Sequence, residues 1–214
     1  PLIDYTLDAA KSLGLTDDIF VFTDEKKIVS HCENRKDVLP HLRQKELSRI
    51  DTHFNTVINM AVETLEKSHG IFADIIVVLS IHTPLRQPED IQTAIDSLLL
   101  YNADSVISVY EGWELLFRHG KNGLEPINPA MAKGVRLEKE SVFVDNRSIK
   151  VFWRDTITDE DIYGRNVSHI VMPTKDSITP ETPEDRLAIE YLLKLRTKQK
   201  NKSTSNQSHE PITD

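Results

Sequence analysis

Glycine is scarce in this chain, with 7 among 214 residues where average usage would give roughly 15. Neither G-x-G-x-x-G nor G-x-x-x-x-G-K-[ST] can be written from them, which removes the two best-known phosphate-cradling loops from this sequence. Cysteine is scarcer still. With Cys32 alone, no intramolecular disulfide and no Cys-rich zinc site can form, and a reducing cytoplasm fits best. Long apolar runs are also missing: Ile75–Leu79 is the longest, far short of the roughly 20 residues a membrane helix needs. The opening Pro1-Leu2-Ile3-Asp4-Tyr5 has neither the charged nor the apolar region of a signal peptide. Positive charge is in deficit, and a net charge of −8 argues against nucleic acid as the main partner, because neutralising phosphates needs a basic face. An anionic small substrate would need a locally basic pocket instead.

What is present is ordinary in amount, 39 % hydrophobic and 28 % charged, and ordered in pattern. Helical periodicities alternate with short apolar runs, the pattern of a mostly parallel sheet covered on both faces. Leu2, Ile3, Tyr5, Thr6, Ala9, Ala10 and Leu13 mark a helix that Gly14 ends, followed by the strand 19–22. Phe54, Val57, Ile58, Ala61, Val62 and Leu65 form one helical stripe. The uninterrupted strand Ile75–Leu79 reads as central and buried on both faces. Pro88 opens another helix with Ile91, Ala94, Ile95, Leu98 and Leu99 inside, and Ser105–Tyr110 is the next strand.

Between about 112 and 165 the pattern changes to turns and two β-like runs, 142–144 and 149–153, around the turn Asp145-Asn146-Arg147. This reads as an inserted β-rich excursion. A last strand, 167–172, leads to a helix signalled by Thr182 as N-cap, Pro183 at its first position, and Glu184 and Asp185 in its first turn. One domain over 1–196 follows, with 197–214 read as a disordered tail of Lys, Asn, Ser, Thr and Gln.

In open α/β sheets ligands bind beyond the carboxyl ends of the strands. There stand Thr23-Asp24-Glu25, Ser80 through Arg86, Tyr110-Glu111, and Pro173 through Asp185, a set that offers one crevice able to hold an anion together with a divalent cation. Bland alternatives stand beside each. Thr23-Asp24-Glu25 also suits a strand-ending turn, Arg86 a surface side chain lying over the next helix, and His82 a solvated loop residue. Arg43, with His41, Lys45 and Arg49, also suits a solvated basic face; Glu181 suits dipole stabilisation, and Asp185 is better read as a helix-start carboxylate than as a ligand. Trp113, Phe152 and Trp153 read as excursion core or partner contact, Asp104 and Ser105 as satisfying backbone groups, and Cys32 as an inert thiol.

Several motifs occur in one order: Pro1-Leu2-Ile3-x-Tyr5-Thr6, Thr23-Asp24, Leu42-Arg43-x-x-Glu46-Leu47, Thr83-Pro84-Leu85-Arg86-x-x-Glu89-Asp90-Ile91 and Ala103 through Val109. Phe143-Val144-Asp145-Asn146, Met172-Pro173-x-x-x-Ser177-Ile178 and Thr182-Pro183-Glu184-Asp185 follow. Over about residues 1–195 the chain resembles the acylneuraminate cytidylyltransferases, or CMP-sialic acid synthetases. The resemblance implies a three-layer nucleotidyltransferase-type, Rossmann-like α/β sandwich. It also implies transfer of CMP from CTP to an acidic 2-keto sugar with release of pyrophosphate, Mg²⁺ as cofactor, and a homodimer that uses the excursion.

Carried onto this sequence, it makes Thr23, Asp24 and Arg43 nucleotide-binding, Arg86 and His82 catalytic, Thr83 and Asn146 substrate-binding, and Glu181 a metal ligand. Family members place a first strand and a Gly/Arg/Lys-rich loop before Pro-Leu-Ile, so about 20 further residues are expected ahead of Pro1, where they would cover a sheet edge. Three departures stand inside the chain. Ser80 replaces the family's Gln, Thr179 replaces the first carboxylate of its Asp-x-Asp pair, and Arg147-Ser148 replace its Gly-Ala. These keep two alternatives open: a non-catalytic member acting in binding or assembly, and a nucleotidyltransferase for another sugar or nucleotide.

Overall fold

A computed structural model describes residues 1–15, 19–43, 53–128 and 142–207, with side chains described as far as Gln199. Helix α1 (Leu2–Lys11) precedes strand β1 (Ile19–Thr23), α2 (Lys26–Cys32) and β2 (Val38–Leu42). Next come α3 (Phe54–His69), β3 (Ile75–Leu79), α4 (Pro88–Leu100) and β4 (Ser105–Gly112). The hairpin β5 (Phe117–Gly120) and β6 (Gly123–Pro126), the long β7 (Val142–Trp153), β8 (Val167–Val171) and α5 (Pro183–Gln207) follow among the described residues.

The main sheet has the order β3-β7-β4-β8, and β1 pairs with β2 in a separate parallel sheet. In the main sheet β3, β4 and β8 run one way while β7 is antiparallel to both its neighbours. The sheet is therefore mixed, with one strand against three. Side-chain alternation divides it into two apolar faces. On one, Val106, Ile149, Val151 and Ile170 pack with Ile91, Ala94 and Leu98 of α4 and Ala9 of α1. On the other, Phe152, Ile76 and Val78 pack with Ile58 and Val62 of α3. The expected three layers are present.

Helix α1 also reaches the smaller sheet, where Ile3 and Leu7 pack with Cys32, Val38, Ile19 and Val21. It thus braces both sheets, and the buried Cys32 is a packing residue.

Three expectations are corrected. Strand β3 is not central: β7 separates it from β4, and among the described residues its other edge is unpaired, which leaves all five of its apolar residues only half-buried. Residues 142–153 form one strand and not two runs about a turn, because a register shift between Ile107 and Val109 absorbs Asn146-Arg147-Ser148 as a bulge. The tail read as disordered from Thr197 is helical as far as Gln207. Lys and Gln are good helix formers, no Gly or Pro interrupts 197–207, and extending a helix is far easier than starting one.

Candidate functional site

At the carboxyl end of the small sheet, Thr23 and Leu42 are register partners, and the Arg43 N–H donates to the Thr23 carbonyl at 2.8 Å. This pins the strand-end residues together. Arg43 Nη2 donates to Asp24 Oδ1 at 3.2 Å, and the Thr23 hydroxyl accepts from the Glu25 N–H at 3.2 Å. Thr23, Asp24 and Arg43 are therefore brought together at one edge of the fold. Glu46 and Leu47 of the same motif, with Lys45 and Arg49, lie outside the described residues.

After β3 the chain makes a tight loop whose interior is polar. Arg86 is only 4 % exposed. Its Nη1 donates to the Ser80 carbonyl at 3.1 Å, to the Thr83 hydroxyl at 3.1 Å, and to the Ser148 carbonyl at 2.8 Å. Thr83, equally buried, donates its own hydroxyl toward Ser80. Both side chains bond inside the loop, Arg86 through Nη1 alone, whereas the resemblance assigns them to catalysis and substrate binding. Burial pushes the Arg86 guanidinium down to about 10, and its Nε and Nη2 have no hydrogen-bond partner. His82 is the loop's exposed side chain, and its backbone N–H is tied to the Ser80 hydroxyl at 3.1 Å.

The bulge in β7 joins this loop to the one after β8. Asn146 Oδ1 accepts from the Ser108 hydroxyl at 2.5 Å and from the Ser148 N–H at 3.0 Å, while its Nδ2 donates to the Ser177 hydroxyl at 2.9 Å. On the other side, the Ser80 N–H donates to the Ser148 carbonyl at 3.1 Å. Asn146 is buried and is itself the fastener of this junction. Beyond Ser177, Thr179 donates to the exposed Glu181 carboxylate at 3.2 Å. Asp185 closes a capping box instead: its Oδ2 accepts from the Thr182 N–H at 2.8 Å and hydroxyl at 2.7 Å, bonds that hold its carboxyl below the usual range.

Glu181 and Thr179 are hard oxygen donors suited to Mg²⁺. Among the described residues no three His, Cys, Asp or Glu side chains converge on one point, so this pair fits an ion shared with ligand phosphates and not one caged by protein.

Sequence reasoning missed an ion pair on β7 between a buried lysine and an exposed carboxylate. Lys150, 8 % exposed at its side chain, donates to Asp145 Oδ2 at 2.6 Å and lies 5.4 Å from the centre of the Tyr163 ring. A lysine inside the apolar run 149–153 was the available signal. Asp104 does satisfy backbone groups, accepting from the Arg165 and Asn166 N–H groups at 2.7 and 2.9 Å. Of the aromatics, Phe152 is core, Trp153 donates its Nε1–H to the Ala103 carbonyl, and Trp113 is half-exposed.

A model of the cytidylyltransferase family matches residues 1–170. No curated protein matches the chain. Among solved structures, the 4-diphosphocytidyl-2C-methyl-D-erythritol synthase of Anaerococcus prevotii DSM 20548 superposes with a TM-score of 0.63 at 12 % identity, over 90 % of this chain and 86 % of that one. CMP:2-keto-3-deoxy-manno-octonic acid synthetase complexed with CTP gives 0.61 at 13 % identity, over 92 % and 88 %. At such identities the likeness is one of fold.

Proposed function

Because the chain belongs to the cytidylyltransferase family, we propose that it transfers CMP from CTP to a hydroxyl of a sialic-acid-like 2-keto sugar acid. The acceptor oxygen forms a bond to the α-phosphorus, the bond from that phosphorus to the bridging oxygen breaks, and pyrophosphate leaves. His82, exposed in the loop after β3, takes the hydroxyl proton. Thr23, Asp24 and Arg43 hold the nucleotide at the β1–β2 end. The sugar lies against the bulge of β7, where Asn146 and the buried Thr83–Arg86 pair act by fixing the loops and their backbone groups. Glu181 and Thr179 would hold Mg²⁺ jointly with the phosphates, and that ion when bound neutralises charge developing on the leaving group.

The observation that carries this reading is the fastening at Asn146 and Ser148, which draws the loop bearing His82 and the loop bearing Glu181 to one end of the sheet. The neighbour named for a 2-keto acid supports that acceptor class, and the resemblance over 1–195 favours a sialic-acid-like member of it. The other neighbour is named for an erythritol derivative, which makes a polyol phosphate the rival acceptor. We further propose a homodimer through the excursion, where Trp113, Phe117, Leu124 and Ile127 each expose about half their surface or more.

Full-length protein incubated with CTP, Mg²⁺ and a panel of acceptors tests the reaction, with sedimentation giving the mass of the active species. Pyrophosphate release with N-acetylneuraminate or 2-keto-3-deoxy-manno-octonate is expected. Release only with methylerythritol phosphate would transfer the assignment to the rival. Absence of release with every acceptor, together with no heat on titrating CTP, would favour the non-catalytic reading.

A further inference from the structure

Arg147 has a backbone φ of +58°, in the left-handed region. The other non-glycine residue with positive φ among the described residues is Asn102, a type that tolerates this region, whereas a long unbranched cation gains nothing from it. Two neighbours impose the conformation. Asp145 Oδ1 accepts from the Arg147 N–H at 2.7 Å, and Asn146 Oδ1 accepts from the next N–H, that of Ser148. These carboxamide and carboxylate groups are fixed in turn, Asp145 by Lys150 and Asn146 by Ser108 and Ser177. A glycine would meet the same backbone requirement without strain, so the turn itself does not account for an arginine here. Strain held this firmly points to a job for the side chain.

The position suits one. Residues 146 and 148, on either side, are bonded to the loop after β8 and to the loop after β3 respectively. The Arg147 side chain is exposed, and its guanidinium has no hydrogen-bond or ion-pair partner among the described residues. Arg43 is already paired with Asp24, and Arg86 is buried within its loop. A negatively charged ligand seated between the two loops therefore meets in Arg147 an arginine still open to it, held between the two points where β7 is bonded to those loops.

We propose that Arg147 recognises the acceptor, its guanidinium pairing bidentately with the carboxylate of the sugar acid. Lys150 and Asp145 are positioning residues for it. The proposal rests on the acidic-acceptor reading above and deepens it, adding the residue that would select acids over uncharged sugars.

Full-length wild type, Arg147→Gly and Arg147→Lys are compared by steady-state kinetics, thermal unfolding and calorimetric titration with N-acetylneuraminate and 2-keto-3-deoxy-manno-octonate in the presence of CTP. The glycine variant is expected to unfold no earlier than wild type, because it removes strain, yet to raise KM for the acid about tenfold or more with KM for CTP unchanged. Lysine restores part of the loss as a point charge. Calorimetry separates this proposal from the reaction itself. Binding of an acid by wild type, weakened about tenfold in Arg147→Gly, supports the role of Arg147 even where no CMP is transferred, and then only the proposed reaction fails. Equal affinities, no binding by either protein, or a rise in KM for CTP in place of the acid overturns it.

Discussion

Glu181 is an exposed carboxylate that accepts from the hydroxyl of Thr179. A cation held by a single carboxylate and ligand phosphates is held weakly, so neutralising that group should act mainly on metal demand. Glu181→Gln is expected to raise the Mg²⁺ concentration for half-maximal activity several-fold, with most of the rate recovered at saturating Mg²⁺; a magnesium titration of initial rate checks this, and an unchanged midpoint would remove Glu181 from the metal site. At this scale the placing of the candidate residues at strand ends was legible in the sequence, while the directions of their side chains were not. Arg86 and Thr83 follow a strand end, which is where ligand-facing residues stand, yet both point inward because the loop's carbonyls at Ser80 and Ser148 need donors. Asn146 likewise reads as a polar turn residue and is in fact the buried link between β4, β7 and the loop at Ser177. For Arg86 and Asn146 the deciding partners Ser148, Ser108 and Ser177 are distant in the chain, and no local pattern records them.

Elements with strong local signals were legible where tertiary pairing was not needed to define them. Pro88 with the Gln87–Asp90 box starts α4, and Thr182 with Pro183 starts α5. Strand β2 escaped notice because Pro40 interrupts Val38–Leu42. Its pairing with β1 alone leaves one edge open among the described residues, and an edge strand is where proline is tolerated. The bulged β7 was read as two runs since Asp-Asn is ordinary turn chemistry, and only the register against β4 shows that the strand continues. The cap of α5 gives a direct test of local stabilisation. Thr182 accepts from the Asp185 N–H at 3.1 Å and donates to its carboxylate, so Thr182→Ala removes both bonds and leaves the Asp185 N–H of the first turn unmet. Loss of about 1 kcal/mol is expected, seen as a fall of about 2–4 °C in Tm for a chain of this size. The helix itself should persist, because Ile189 is buried and Arg196 bonds the Leu85 carbonyl and Asp176 farther along. A much larger loss would mean that the whole of α5 depends on its cap.

On the scale of the whole molecule, the layered fold was legible because alternating periodicities dictate covered sheet faces. The order of strands was not, since β7 enters the sheet from the excursion against the run of its neighbours. The charge balance makes the last prediction. Among the described residues five carboxylates are held below their ordinary range: Glu66 by Arg154, Asp104 by the N–H groups of Asn166 and Arg165, Asp185 by Thr182, and Asp37 and Asp4, whose partial burial raises them, by overriding contacts with Lys11 and His31 respectively. For each, the folded state binds its proton less readily than the unfolded chain does. Their stabilisation is thus fully present above the unfolded carboxylate values near pH 4 and is lost as pH falls through the lower folded values. Asp90 works in the opposite sense, raised by burial with Asp176 and Glu89 nearby, so acidification relieves its charge. With five groups against one, the urea midpoint should be level from about pH 6 to 8 and fall progressively below about pH 4. Adding salt at pH 7 separates the contributors. It should weaken the pairs of Glu66 and Asp37 with their cations but leave Asp104 and Asp185, whose partners are uncharged donors, largely unaffected. Asp104→Asn should accordingly flatten the acid limb without changing the salt response. A midpoint at pH 3 equal to that at pH 7 would show that these carboxylates do not couple to folding.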